Sequence, residues 1–347
     1  MFILTFTLGL FSVSASAQRS VLLYTSVPSS LLKPLKKSFA KANPNLALRV
    51  FRARASTVNR RLTDEWSAGR PLADVIWAGD TSQFIAYKKA GRLVPYSPPG
   101  AASIPTDLKD SGGAFHAIRI MHLIITYKPR PGFRSPKNWD DLTSLSTRRN
   151  APLRLAMPSP EKSGASLAGI FAWQQTPALG WRFVSRLLAS SPLLTDSFGE
   201  AAKALDEKIA AATILADFIA YPLKKRDPAI HITWPAEGAV TITGPAGILK
   251  KENTNLGVGP LRGARRLMDF LTSRQAQQII RRGGLYAARG DIAPPEGRPA
   301  LGQLKRLAPD WGALLANEKK ILSRIRAMVS MAKKKKEHLE SENSKKK

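Results

Sequence analysis

The chain of 347 residues contains no cysteine. Disulfide bridges, thiolate metal sites, cysteine nucleophiles and lipid attachment through a thiol are therefore excluded. Histidine is scarce. His116, His122, His231 and His338 stand far apart and form no local ligand motif, which argues against a structural zinc. Acidic residues are also few, 25 Asp and Glu against 54 Lys and Arg, for a formal net charge of +29. No repeat of fixed period is present, and Gly and Pro are spread along the chain rather than clustered. No segment has eighteen uncharged apolar residues in a row, the length that a bilayer-spanning helix requires.

A hydrophobic content of 44% over this length suffices for one large core or two modest ones. The positive surface attracts anions and raises their local concentration. Nucleic acid is the reflex partner for such a charge, but the basic residues are scattered, so no nucleic-acid partner is expected. The dense cluster is the tail, Lys333–Lys336 and Lys345–Lys347, whose charge with Glu337, Glu340 and Glu342 is +4, leaving about +25 on the body. Residues 332–347 read as a disordered, solvated Lys-rich end.

Phe2–Val13 is an apolar stretch of twelve residues followed by Ser14-Ala15-Ser16-Ala17. It is too short to span a bilayer, and the small residues suit a signal peptidase. Residues 1–17 are thus expected to be an export signal, with Gln18 as the mature end. The positive n-region is missing, since no Lys or Arg precedes Arg19.

Short apolar strands alternate with amphipathic helical stretches, the pattern of an α/β protein with mostly parallel sheets. Strands are expected at Ser20–Tyr24, Leu46–Phe51, Ala73–Trp77, Ile118–Tyr127, Leu153–Met157, Thr213–Ala216 and Ala239–Thr243. Leu31, Leu35 and Phe39, then Val58, Leu62 and Trp66, recur at helical spacing. Further helices are expected at Ser166–Gln174, Gly180–Leu188, Leu267–Leu271, Ala276–Ile280 and Leu314–Met331. Strand ends followed by Gly, Ser, Thr and Asp put polar groups at the carboxyl edge of a sheet, where ligands bind in such folds.

Eight segments in order carry a family resemblance. They are Val21–Ser26, Ala73–Asp80, Ala90–Tyr96, Pro136–Leu142, Met157–Gly164, Trp234–Gly238, Gly244–Ile248 and Gly283–Tyr286. Together they resemble the bacterial solute-binding proteins related to ferric-iron, phosphonate and sugar-phosphate binders. That resemblance implies an α/β, two-lobed type II periplasmic-binding fold with a hinge of two crossing strands. By analogy, residues 18–117 plus 244–331 form one lobe and 118–243 the other. The implied role is the periplasmic binding component of an ABC importer, a monomer partnered by an inner-membrane permease. A sensor feeding a membrane kinase, or a ferric-iron binding protein, is the alternative.

Ser163, Gly164 and Ala165 open a helix whose unpaired N–H groups suit an anion, and related iron binders place an anion on the matching Ser-Gly-Ala. Thr25, Ser26 and Asp80 stand at strand ends of the opposite lobe. Asp217 and Glu237 offer carboxylates suited to hydroxyls or an amine. These eight residues form the expected ligand site, for a small anionic solute such as an organic phosphate, sugar phosphate or phosphonate, without cofactor or resident metal. Ferric iron is disfavoured because Pro28, Gly79 and Phe218-Ile219 occupy positions where the resemblance places ligands. An enzyme is not expected: Asp217 and Glu237 lack any evident activated water or leaving-group acid.

Overall fold

The computed structural model describes residues 19–79, 81–145, 154–251 and 259–345, so the expected export signal and Asp80 lie outside the described residues. The chain begins with β1 (Arg19–Thr25), α1 (Ser29–Ala42), β2 (Leu46–Arg52), α2 (Ala55–Ser67), β3 (Val75–Trp77), α3 (Thr81–Lys89) and β4 (Leu93–Val94). Two 3-10 turns, Pro99–Ser103 and Thr106–Leu108, lead to β5 (His116–Tyr127). The middle runs β6 (Leu155–Pro158), α4 (Gly164–Gln175), α5 (Gly180–Ala189), β7 (Leu193–Thr195), α6 (Phe198–Asp206), β8 (Ala212–Ala216), α7 (Asp217–Arg226) and β9 (His231–Thr233). The chain then returns through β10 (Ala239–Leu249), α8 (Gly259–Thr272), α9 (Arg274–Arg282), β11 (Tyr286–Ala287), β12 (Arg306–Leu307) and α10 (Trp311–Lys345).

The strands form one curled sheet in the order β2-β1-β3-β10-β5-β8-β6-β7, with β4 and β12 on β10 and β9 and β11 on β5. Its outer parts are parallel, β1 with β2 and β3, and β6 with β7 and β8. Its middle is antiparallel, because β10 opposes both β3 and β5, and β5 opposes β8. The sheet is therefore mixed rather than mostly parallel. Two long strands of opposite direction join the two parallel parts, and an apolar run by itself does not reveal strand direction.

All twelve residues of β5 are buried, which is why this segment reads as one continuous run. Leu31, Leu35 and Phe39 form one face of α1. They pack with Val21, Leu23 and Trp77 into a core that α8 and α9 complete. The second core gathers Leu123 and Ile125 of β5 with Ile170, Phe171 and Trp173 of α4 and with Leu187 of α5. Each such fully buried side chain contributes about 1.5–3 kcal/mol. The two cores meet along β5 and β10. Leu123 belongs to one and Ile118 to the other.

The Lys-rich end departs from expectation. Residues 332–345, read as disordered, continue α10 to Lys345. Leu314, Ile321 and Ile325 anchor that helix in the second core, and Ala, Met, Glu and Lys propagate it at little cost once nucleated. Lys333 and Glu337 add an i,i+4 pair, worth a few tenths of a kcal/mol.

Gly100 marks the tightest backbone approach among the described glycines. A Cβ there would stand 2.2 Å from the carbonyl oxygen of Thr272 at the end of α8. Gly100→Ala is expected to cost about 1–3 kcal/mol through backbone displacement. A urea midpoint equal to that of the wild type would contradict this packing.

Candidate functional site

Thr25 ends β1 and is fully buried. Its hydroxyl donates to the Trp77 carbonyl at 2.7 Å and accepts from the Val27 N–H at 3.1 Å. This hydroxyl therefore ties β1 to the end of β3. Ser26 is half-buried, and its N–H donates to the same carbonyl at 3.4 Å.

Ser163 caps α4. Its Oγ accepts from the Ser166 N–H at 3.2 Å, and the Ser166 hydroxyl donates to the Pro158 carbonyl at 2.6 Å. Gly164 is exposed and Ala165 half-buried, so the first turn of α4 is open to solvent. Its flank is fastened by ion pairs of Glu161 with Arg326 of α10, at 3.2 Å, and of Lys162 with Asp196.

The two carboxylates expected to act together have different partners. Asp217 is fully buried at the start of α7. One oxygen accepts from the His122 N–H at 2.9 Å and the other from the Arg298 guanidinium. Burial pushes its carboxyl up to about 6, against the opposing pull of Arg298. Arg298 in turn lies over the ring of Tyr221, 4.6 Å from its centroid. Glu237 accepts from the Trp139 N–H at 3.1 Å, and the Trp139 indole donates to the Gly238 carbonyl at 2.8 Å. Glu237 thus fastens the 136–142 segment to the turn before β10. Among the described residues no group of three or more His, Asp or Glu is placed to hold a metal ion.

Two buried groups escaped the sequence reading. Arg119, within β5, is 7% exposed, and neither Nε nor Nη1 has a hydrogen-bond partner. Burial lowers its pKa to about 10, which Asp217 opposes, so it is charged at neutral pH. His122, also in β5, has Nδ1 3.0 Å from the Thr241 hydroxyl and an unpartnered Nε2. Its ring meets those of Trp234 and Tyr286 edge-on, at 5.4 and 4.8 Å. The signal for Arg119 was available: it is the one Lys, Arg, Asp or Glu within the expected strand Ile118–Tyr127.

A cavity of about 600 Å³ lies between α3, β10 and the start of α10, lined by Thr81, Asp107, Thr241, Thr243, Arg306 and Trp311 among others. The hydroxyls of Thr81 and Thr243 are 2.8 Å apart. Thr241 and Thr243 alternate with Ile242 and Gly244 along β10, so this cavity and Arg119, which pairs with Gly244, occupy opposite faces of the strand.

The profile of a family described as bacterial extracellular solute-binding protein matches residues 70–317. A probable ABC-transporter periplasmic-binding protein of Sinorhizobium fredii, y4fP, is 27% identical over 134 residues, 37% of this chain and 37% of that protein. Iron-bound HitA from Pseudomonas aeruginosa superimposes with a TM-score of 0.73 at 18% identity, covering 89% of this chain and 99% of that one. The Trichodesmium protein IdiA (FutA), in complex with iron and citrate ligands, gives 0.68 at 18% identity, covering 88% and 99%. Against the expectation of a small anionic solute as the partner stand these two structures, of which one holds iron and the other iron with citrate. An α/β fold with a curled mixed sheet of the periplasmic-binding type and a profile match over most of the chain lead to one assignment: the protein belongs to the bacterial extracellular solute-binding proteins, and it is a periplasmic binder rather than an enzyme.

Proposed function

We propose that this protein is the solute-receiving component of an ABC importer and that its cargo is ferric iron. The observation that carries the reading is the likeness to iron-bound HitA over 89% of the chain. The y4fP match supports the importer partner. In this reading the parts of the sheet on either side of β5 and β10 act as two lobes, roughly 18–117 plus 244–331 and 118–243. The two central strands serve as the hinge. Ser26, on one side, and Ser163, Gly164 and Ala165, on the other, are solvent-accessible at strand and helix ends. They contribute hydroxyl and amide donors to the oxygen atoms around the metal.

Iron capture is tested on metal-free protein. After incubation with ferric citrate and gel filtration, about one iron per chain should be retained. Unfolding should require about 2.7 kcal/mol more free energy when the ferric complex is at a hundred times its dissociation constant. Protein that emerges without iron, and whose melting temperature ferric salts leave unchanged, rules out the ferric reading.

A further inference from the structure

From Lys319 to Lys336, α10 holds eight Lys and Arg and no Asp or Glu. Eighteen helical residues extend over about 27 Å. One side of this stretch is packed. Ile321 and Ile325 are buried in the second core, and Leu322, Met328 and Val329 lie against it. The other side carries the charge, with Lys319, Lys320, Lys333, Lys334 and Lys335 all exposed.

Little of that charge is answered within the chain. Arg326 pairs with Glu161, and Lys333 stands 3.8 Å from Glu337. Among the described residues these are the only ion pairs of the stretch, and both are exposed, so each contributes little in water. Arg324 lies over the Trp181 ring, 4.0 Å from its centroid. Lys320 and Arg324 are like charges four residues apart on a helix, which repel each other. An anion from outside the chain would relieve that repulsion.

Met331 indicates what kind of anion fits. Its side chain is 63% exposed, and it precedes Lys334 and Lys335 by three and four residues, the spacing of one helix face. An apolar side chain flanked by lysines matches a lipid interface. The thioether enters the acyl boundary while the ammonium groups stay with the phosphates. Single-stranded nucleic acid is held by base stacking, and no aromatic residue follows Trp311. The periplasmic assignment also sets the protein beside lipid head groups. We infer that the cationic side of α10 rests on an anionic phospholipid bilayer, holding the binder at the membrane surface. Clusters of roughly four to eight Lys and Arg suffice for such contact. The inference goes beyond the reading of the cargo and does not depend on it.

The test uses protein recovered from the periplasm after export and sedimented with lipid vesicles. These are phosphatidylcholine alone, or with about 30% phosphatidylglycerol, at about 0.1 M salt, where charges act over about 10 Å. The wild type should bind the anionic vesicles and leave the neutral ones. The triple variant Lys333→Gln, Lys334→Gln, Lys335→Gln should bind at least about tenfold more weakly. A control with equal charge loss on α1, Lys33→Gln, Lys36→Gln, Lys37→Gln, also alters exposed lysines. It should lose less than about threefold, because screened charge away from the contact adds little. Melting curves check folding; if a triple variant does not fold, Lys334→Gln and Lys36→Gln replace the two, with about threefold and no loss expected. Equal losses in the α10 and α1 variants would assign the binding to the net charge of +29 and overturn the inference. A wild type that does not bind anionic vesicles overturns it as well. So does an α10 variant that loses as much affinity for an unrelated DNA duplex as for vesicles, since that marks a general polyanion site.

Discussion

Asp217→Ala is expected to destabilise the protein at pH 7 by about 3–5 kcal/mol, the range for removing one partner of a buried ion pair. The Asp217–Arg298 pair is nearly inaccessible to water, with side chains 1% and 3% exposed. Removing the carboxylate strands Arg298 among Tyr221 and Tyr286, adds a second uncompensated cation close to Arg119, and leaves the His122 N–H without its acceptor. The loss is thus dominated by what remains behind, not by the attraction removed. A double variant, Asp217→Ala with Arg298→Met, should recover a large part of it, because two apolar groups need no partners. Urea unfolding of the three proteins measures this. A single variant within about 1 kcal/mol of wild type would mean that the pair does not organise the junction of α7 with the 295–300 segment.

The second large effect is a loss of stability in acid traceable to His122. Burial, with Arg306 and Arg298 nearby, pushes this imidazole down to about 3 from its ordinary 6.5. The unfolded chain takes up a proton below 6.5 that the folded protein refuses until about 3. His122 therefore contributes stability that is complete above pH 6.5 and is lost as pH falls toward 3, at about 1.4 kcal/mol per pH unit. Asp217 acts with opposite sign. Its carboxyl is raised to about 6, so its contribution is complete below its unfolded value near 4 and is lost as pH rises to 6. The groups around His122 are Thr241, Trp234 and Tyr286 in contact, Asp217 on its backbone N–H, and the two arginines by charge. The measurement is therefore a difference between wild type and His122→Gln. Between pH 7.5 and 4.5 the gap should move by about 2–3 kcal/mol in favour of the glutamine variant. A gap that stays constant would place His122 in water in the folded protein.

Much of the outline was legible in the residues. The spacing of Leu31, Leu35 and Phe39 places α1, and Ser163 before Gly164 places the cap of α4. The run from Ile118 to Tyr127 places all but the first two residues of β5. These follow from local rules, the periods of helix and strand and the chemistry of caps. The helical course of residues 332–345 was not legible, because a dense run of like charge points to a solvated end. The anchoring of α10 by Ile321 and Ile325, which carries the helix onward, is a tertiary contact.

The site was legible in its types more than in its roles. A hydroxyl at Thr25 and carboxylates at Asp217 and Glu237 suggested ligand contacts, but the folded chain engages each with Trp77, Arg298 or Trp139. What the sequence by itself determined is the alternation of strands and helices, the polar strand ends, the long strand β5 and the family. All of these are set by neighbours within a few residues or by ordered segments. What only the tertiary structure decided is strand direction, the partners of the buried charges and the placement of Arg119 between Gly79 and Gly244. Charge compensation in a low-dielectric interior depends on which groups lie within a few ångströms. Arg298 meets Asp217 across 81 residues, and Arg119 feels its charge across 98, separations that no local pattern encodes.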